Sequence, residues 1–171
     1  MKISAVIPVY NEREVIDEFS SRLVDSLEKL GGNYEVIFVV EGNDGTLSKL
    51  SKLSETNPRV RVEYHEKRLG LGKAFKEGLS RVSKDADLVL TMDADLNHHP
   101  EEIEKLLQES KHADVVVGCR VRNRGMVGEL PFLKRMVSGG TNWILRKSFR
   151  IPSSDVTSGF RVYSARARPL A

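Results

Sequence analysis

Apolar positions return along this chain in two alternating rhythms. Short, nearly unbroken apolar runs at 3–9, 34–40, 60–64, 88–92 and 115–117 are separated by stretches in which large apolar residues recur every three or four positions. The runs predict strands covered on both faces, as in a parallel sheet, and the longer period predicts helices. Val15, Ile16, Phe19, Leu23, Leu27 and Leu30 mark a first helix, which Gly31-Gly32 ends. Asn11, followed three residues later by Glu14, resembles a capping box that would open it. A second helix is predicted over 46–56, before Asn57-Pro58. A third follows Gly70-Leu-Gly72 and carries Ala74, Phe75, Leu79 and Val82. Pro100 stands at a first helical position with Glu101 and Glu102 in the favoured first turn, and Ile103, Leu106 and Leu107 continue that helix. Five strands alternating with helices predict an α/β fold: a Rossmann-like, mostly parallel sheet with right-handed crossovers, flanked by helices in one domain.

The run at 88–92 leads straight into Asp93-Ala-Asp95. In extended backbone the side chains repeat with period two, so both carboxylates leave on one face. Open α/β sheets gather ligands at the carboxyl ends of their strands. A hard cation such as Mg²⁺ or Mn²⁺ takes one or two protein carboxylates and fills its other positions with water and substrate phosphate. The pattern therefore suggests a metal–diphosphate site, against the plainer alternative of a turn rich in Asp. His98 and His99 read as solvated loop residues, and Lys73 as an exposed helix lysine or a phosphate contact at a helix start.

Composition narrows the classes. With 171 residues the chain suits one domain with a real core. It lacks the roughly 18 consecutive apolar residues of a membrane span and the apolar run of a signal peptide, so a cytosolic protein is expected. A single cysteine, Cys119, excludes an internal disulfide and a cysteine-rich zinc site; behind an apolar run it is expected to be a buried thiol. The net charge of +3 is modest, but its placement is uneven: between 120 and 150 there are eight basic residues and one acid, Glu129. Phe132, Leu133, Met136, Val137, Trp143, Ile144 and Leu145 lie among them. Such a basic amphipathic stretch suits an anionic membrane surface or a lipid phosphate, or an ordinary helix with one face on the core. No recognised nucleic-acid motif accompanies the charge, so no nucleic-acid partner is expected. Gly70 and Gly72 form neither a dinucleotide fingerprint, which needs a small residue where Phe75 stands, nor a P-loop.

Six short motifs occur in order: Ile7-Pro-Val-Tyr-Asn-Glu12, Glu41-Gly-Asn-Asp-Gly-Thr46, Arg68-Leu-Gly-Leu-Gly-Lys-Ala74, Met92-Asp-Ala-Asp-Leu-Asn-His98, Val117-Gly-Cys-Arg120 and Asp155-Val-Thr-Ser-Gly-Phe-Arg161. Together they resemble the family 2 glycosyltransferases of GT-A fold, and within them the dolichol-phosphate mannose synthase group. The resemblance implies a sugar-nucleotide donor, Mg²⁺ or Mn²⁺, a polyprenyl phosphate acceptor, peripheral association with the cytoplasmic face of a membrane, and a membrane-anchoring partner subunit as a companion. It implies that Pro8, Tyr10, Glu12, Glu41, Asp93 and Ala94 line the nucleotide pocket. It also implies that Asp93, Asp95 and Asn97 hold the metal, that Arg120 joins the two aspartates in catalysis by contacting donor phosphate, and that Lys134, Ser138 and Arg161 hold the acceptor phosphate.

By this resemblance residues 1–119 form the nucleotide-binding part and 120–171 an acceptor- and membrane-facing part that ends early, ten residues after Arg161, where relatives continue. Two motifs depart from the family. Val40-Glu-Gly-Asn43 stands where an Asp-Asp pair is usual, and Lys134 replaces an arginine, which keeps the charge and loses the bidentate fork. Asp155 reads as a helix or turn cap. Four functions remain open: transfer of mannose from GDP-mannose, transfer of glucose from UDP-glucose, a non-catalytic sugar-nucleotide or lipid-phosphate binder, and, least supported, nucleic-acid binding.

Overall fold

The computed structural model describes residues 1–119 and 158–167. The basic stretch lies outside the described residues, and with it Arg120, Lys134, Ser138, Trp143 and Asp155.

All five predicted strands form, and two of them show why the sheet is covered on both sides. In β1 (Ile3–Tyr10), Ile3, Ala5, Ile7 and Val9 belong to one apolar cluster while Val6 belongs to another. In β2 (Tyr34–Glu41), Tyr34, Val36, Phe38 and Val40 face the first cluster and Ile37 and Val39 the second. The period-two geometry of extended backbone thus sends apolar side chains to both layers. The first layer holds α1 (Ile16–Lys29), α2 (Thr46–Thr56) and α4 (Ile103–Glu109), with Phe19, Leu23, Leu50 and Ile103 fully buried. Each such side chain contributes about 1.5–3 kcal/mol of apolar transfer. The second layer is α3 (Leu71–Ser80), which approaches the sheet so closely that a Cβ on Gly78 would sit 2.3 Å from Val6 Cγ1.

The strand order is β3-β2-β1-β4-β6-β5, with β3 at Val60–His65, β4 at Leu88–Thr91, β5 at Val115–Val117 and β6 at Arg161–Ser164. Strands β1 to β4 pair in parallel, as expected. At the far edge the mostly parallel sheet takes an antiparallel strand: β6 lies between β4 and β5, pairing Leu90 with Val162 and Val116 with Val162. Its four residues carry no periodicity of their own, and their partners are remote in sequence, so nothing local announces the strand.

Helix starts also differ from expectation. Asn11 adopts a left-handed conformation, φ 54°, and α1 begins only at Ile16, with no side-chain cap. The residue is used for the turn that ends β1, where its tolerance of positive φ is needed. Gly31 and Gly32, both at positive φ, close α1 as predicted. Gly72 lies inside α3, and Pro100 opens a short 3₁₀ turn, Pro100–Glu102, that runs into α4. Cys119 is half-buried, not sequestered in the core. Among the described residues no helix is long and apolar enough to cross a membrane.

Candidate functional site

The carboxyl ends of β1, β2 and β4 open onto a cleft of about 320 Å³ lined by Pro8, Tyr10, Glu12, Glu41, Arg68, Leu71, Ala74, Asp93, Ala94 and Asp95. Alternation along the strands explains the gathering. Pro8, Tyr10 and Glu41 point to the α3 side of the sheet, the loop leading into α3 supplies Arg68, and the helix's first residue is Leu71.

The loops after β1 and β2 are locked to each other. Asp44 accepts hydrogen bonds from the Thr46 amide (3.0 Å), the Thr46 hydroxyl (2.6 Å) and the Arg13 amide (3.0 Å), and the Glu12 amide donates to Thr46 Oγ1 (3.1 Å). Burial would push the Asp44 carboxyl up, yet these donors hold it below the ordinary aspartate value. At Gly42, φ 93°, a Cβ would fall 2.0 Å from Asn11 Oδ1, so only glycine lets the two loops touch.

Strand β4 ends at Thr91, and residues 94–98 are bent, with Leu96 at φ 59°. The extended geometry expected for Asp93-Ala-Asp95 is therefore not what brings the two acids together; the turn does, and both still line the same cleft. Asp95 accepts from the Asn97 amide (3.0 Å) and from its side-chain amide, which fixes Asn97 beside it. Asp93 lies against Gly159, where a Cβ would come 2.5 Å from Asp93 Oδ2. The Glu12 carboxyl is raised above its ordinary value, first by burial and then by the negative charges of Asp95 and Asp44.

Glu41, 3% exposed, turns its carboxylate to the amides of Leu69 (3.0 Å) and Gly70 (3.4 Å). It thereby ties the loop before α3 to the end of β2, a role its place in the second motif did not suggest. Arg68 lies over the Tyr10 ring, 4.2 Å from the centroid, and both side chains stand at the cleft. Arg68 belongs to the third motif, but an arginine six residues before a small helix residue, Ala74, is too common a pattern to single out.

Arg161 is not among the residues that line the cleft. It opens β6 opposite Thr91, and its Nε donates to the Ser158 carbonyl (2.7 Å). His98, expected in solvent, is only 6% exposed, with Nε2 3.3 Å from Ser158 Oγ and its ring 4.9 Å from that of Phe160. His99 is half-buried, its Nδ1 3.1 Å from Arg22 Nη2. Arg22 also meets Glu101 through two 2.8 Å hydrogen bonds, and this pairing lowers the Glu101 carboxyl to about 2. Lys73 is exposed at the start of α3.

These donors fit a hard cation that brings most of its ligands with it. Among the described residues no three His, Cys, Asp or Glu side chains are gathered to hold a metal alone. Asp93 and Asp95 offer oxygen only, while Asn97 turns its side-chain NH₂ to Asp95 and stands outside the lining of the cleft.

The chain is 39% identical over 142 residues to a dolichol-phosphate mannosyltransferase of Pyrococcus furiosus, covering 82% of this chain and 39% of that protein. It is 29% identical over 167 residues to an undecaprenyl-phosphate mannosyltransferase of Micrococcus luteus, covering 96% of this chain and 67% of that one. The chain thus spans well under half the length of the Pyrococcus relative. Among solved structures, the fold matches a mannosyltransferase from Pyrobaculum calidifontis in complex with GDP-Man and Mn²⁺ (TM-score 0.58, 21% identity, 68% of this chain and 35% of that one). It also matches S. aureus TarS 1-349 in complex with UDP-GlcNAc (TM-score 0.61, 21% identity, 96% and 46%). These likenesses place the architecture among GT-A glycosyltransferases. The model of glycosyl transferase family 2 matches residues 4–168, nearly the whole chain, and the chain belongs to that family.

Proposed function

We propose that the chain is the catalytic part of an inverting, metal-dependent transferase that moves a hexose, mannose from GDP-mannose first, onto a polyprenyl phosphate at the cytoplasmic face of a membrane. The observation that supports this reading is the convergence of Pro8, Tyr10, Glu12, Asp93, Ala94 and Asp95 on one cleft. The two relatives, a dolichol-phosphate and an undecaprenyl-phosphate mannosyltransferase, support the acceptor and the sugar.

In this reading Tyr10, Pro8 and the Arg68 stack form the wall for base and ribose. Asp93 and Asp95 hold the cation, which when bound supplies positive charge to the departing diphosphate. Arg161, with Lys134 and Ser138, receives the acceptor phosphate, and Arg120 clamps donor phosphate. A phosphate monoester, with a second pKa near 6, is already largely dianionic at neutral pH, so the nucleophile needs no general base. Attack from the face opposite the diphosphate inverts the anomeric centre. A sugar hydroxyl acceptor would instead require a positioned base.

The test is incubation of the full chain with labelled GDP-mannose or UDP-glucose, Mn²⁺ or Mg²⁺, and a polyprenyl phosphate. A lipid-linked mannose that vanishes with EDTA is expected. Product from UDP-glucose alone would move the donor assignment, and nucleotide binding without any product would make the chain a binding module.

A further inference from the structure

We propose that His98 is a positioning residue that joins the cation-binding loop to the strand carrying Arg161, so that donor and acceptor sides are held in one register. The proposal rests on the reading of the cleft given above. His98 directly follows Asn97 in the loop that bears the two aspartates, and its buried side chain meets Ser158 and Phe160.

The contacts form a continuous path. His98 Nε2 meets Ser158 Oγ, which also accepts the Phe160 amide at 3.2 Å, while the Ser158 carbonyl accepts Arg161 Nε at 2.7 Å. Ser158 is fully buried, so its polar groups depend on these partners. The His98 ring packs on Phe160, tilted by 41°, and Phe160 fills the space where a side chain at Gly118 would go. The same segment is held from β4, where Thr91 Oγ1 donates to the Gly159 carbonyl at 2.8 Å and Asp93 rests on Gly159. Two of the three holds come from residues within the strand and turn that present Asp93; the third, His98, comes from beyond Asp95. Movement of either acid therefore moves the peptide from which Arg161 departs.

In-line transfer depends on such register, since a displacement of about 1 Å can lower a rate by roughly 10²-fold. His98→Ala is expected to lower kcat by about 10–100-fold and raise the acceptor KM, with the affinity for GDP and Mn²⁺ within about twofold of the parent. His98→Gln, which restores a polar atom near Ser158 Oγ, should recover most of the loss. His98→Phe, which keeps a ring on Phe160 and loses the hydrogen bond, should not. Equal recovery by Gln and Phe, or nucleotide affinity falling in parallel with kcat, would leave His98 as core packing and overturn the proposal. Hydrogen exchange of the ligand-free full chain supplies a readout independent of catalysis. Amides 158–164 should lose protection in His98→Ala and regain it in His98→Gln, and unchanged exchange in the alanine variant would sink the coupling. Absence of any lipid-linked product from the parent would instead defeat the transferase reading while leaving this exchange test in force.

Discussion

Two glutamates on β2 lie six residues apart on the same side of the sheet, both nearly inaccessible to solvent, and they sit in opposite kinds of company. Glu35, at the strand's start, accepts from the Ser4 hydroxyl, the Ser83 amide and hydroxyl (2.8 Å each) and Arg61 (2.6 Å). Burial alone would raise its carboxyl, but these partners outweigh it and hold the group below the usual range. Glu41, at the other end, opens onto a cleft where Glu12, Asp93 and Asp95 crowd together and Glu12 is driven upward. At one end of the sheet an arginine and hydroxyls meet the negative charge; at the other, Glu41 and Asp95 accept from amides. Buried acids alone therefore do not mark a site. Several acids from different loops lining one cleft do.

The contrast breaks most sharply at the cleft. Asp93→Ala and Asp95→Ala are each expected to lower sugar transfer by about 10³-fold or more, with the metal-free unfolding temperature shifted by no more than about 2 °C. Lost activity accompanied by a comparable collapse of stability would make these acids structural, like Glu35. Next in size, Glu35→Ala should destabilise the protein by roughly 2–3 kcal/mol in urea unfolding, because Ser4, Ser83 and Arg61 lose their shared acceptor, while activity per folded molecule is kept. Smallest is Glu101, which is paired with Arg22. Its carboxyl, ordinarily at 4.5, is held at about 2, so it contributes stability that is full above the ordinary value and is lost as pH falls toward the lower one. Urea midpoints of Glu101→Gln and the parent should therefore converge as pH drops from about 5 to about 2, and a constant gap would show that the pair adds nothing.

Much of this was legible beforehand, for reasons that are local. The apolar runs of β1 and β2 and the stripe of α1 encode burial residue by residue, so their positions follow from spacing alone. What escaped was decided by contacts remote in the chain. His98 looked polar and solvated until Ser158 and Phe160 covered it. Asn11 had the makings of a cap, but the turn at the end of β1 claimed its backbone and Gly42 came up against its side chain. Glu41 drew notice as a departure from a motif; its engagement with the Leu69 and Gly70 amides depends on a loop nearly thirty residues away.

The insertion of β6 between β4 and β5 also orders events in time. A growing polypeptide can zip its first four strands and their helices as they emerge, since each joins a neighbour already made, but the exposed margin of β4 must wait for a segment synthesised near residue 162. Until then the nascent molecule offers an unpaired edge to chaperones or to other chains. Because Arg161 rides on that late segment, the arginine is installed by the same step that seals the margin, and a molecule still open there is also one without it.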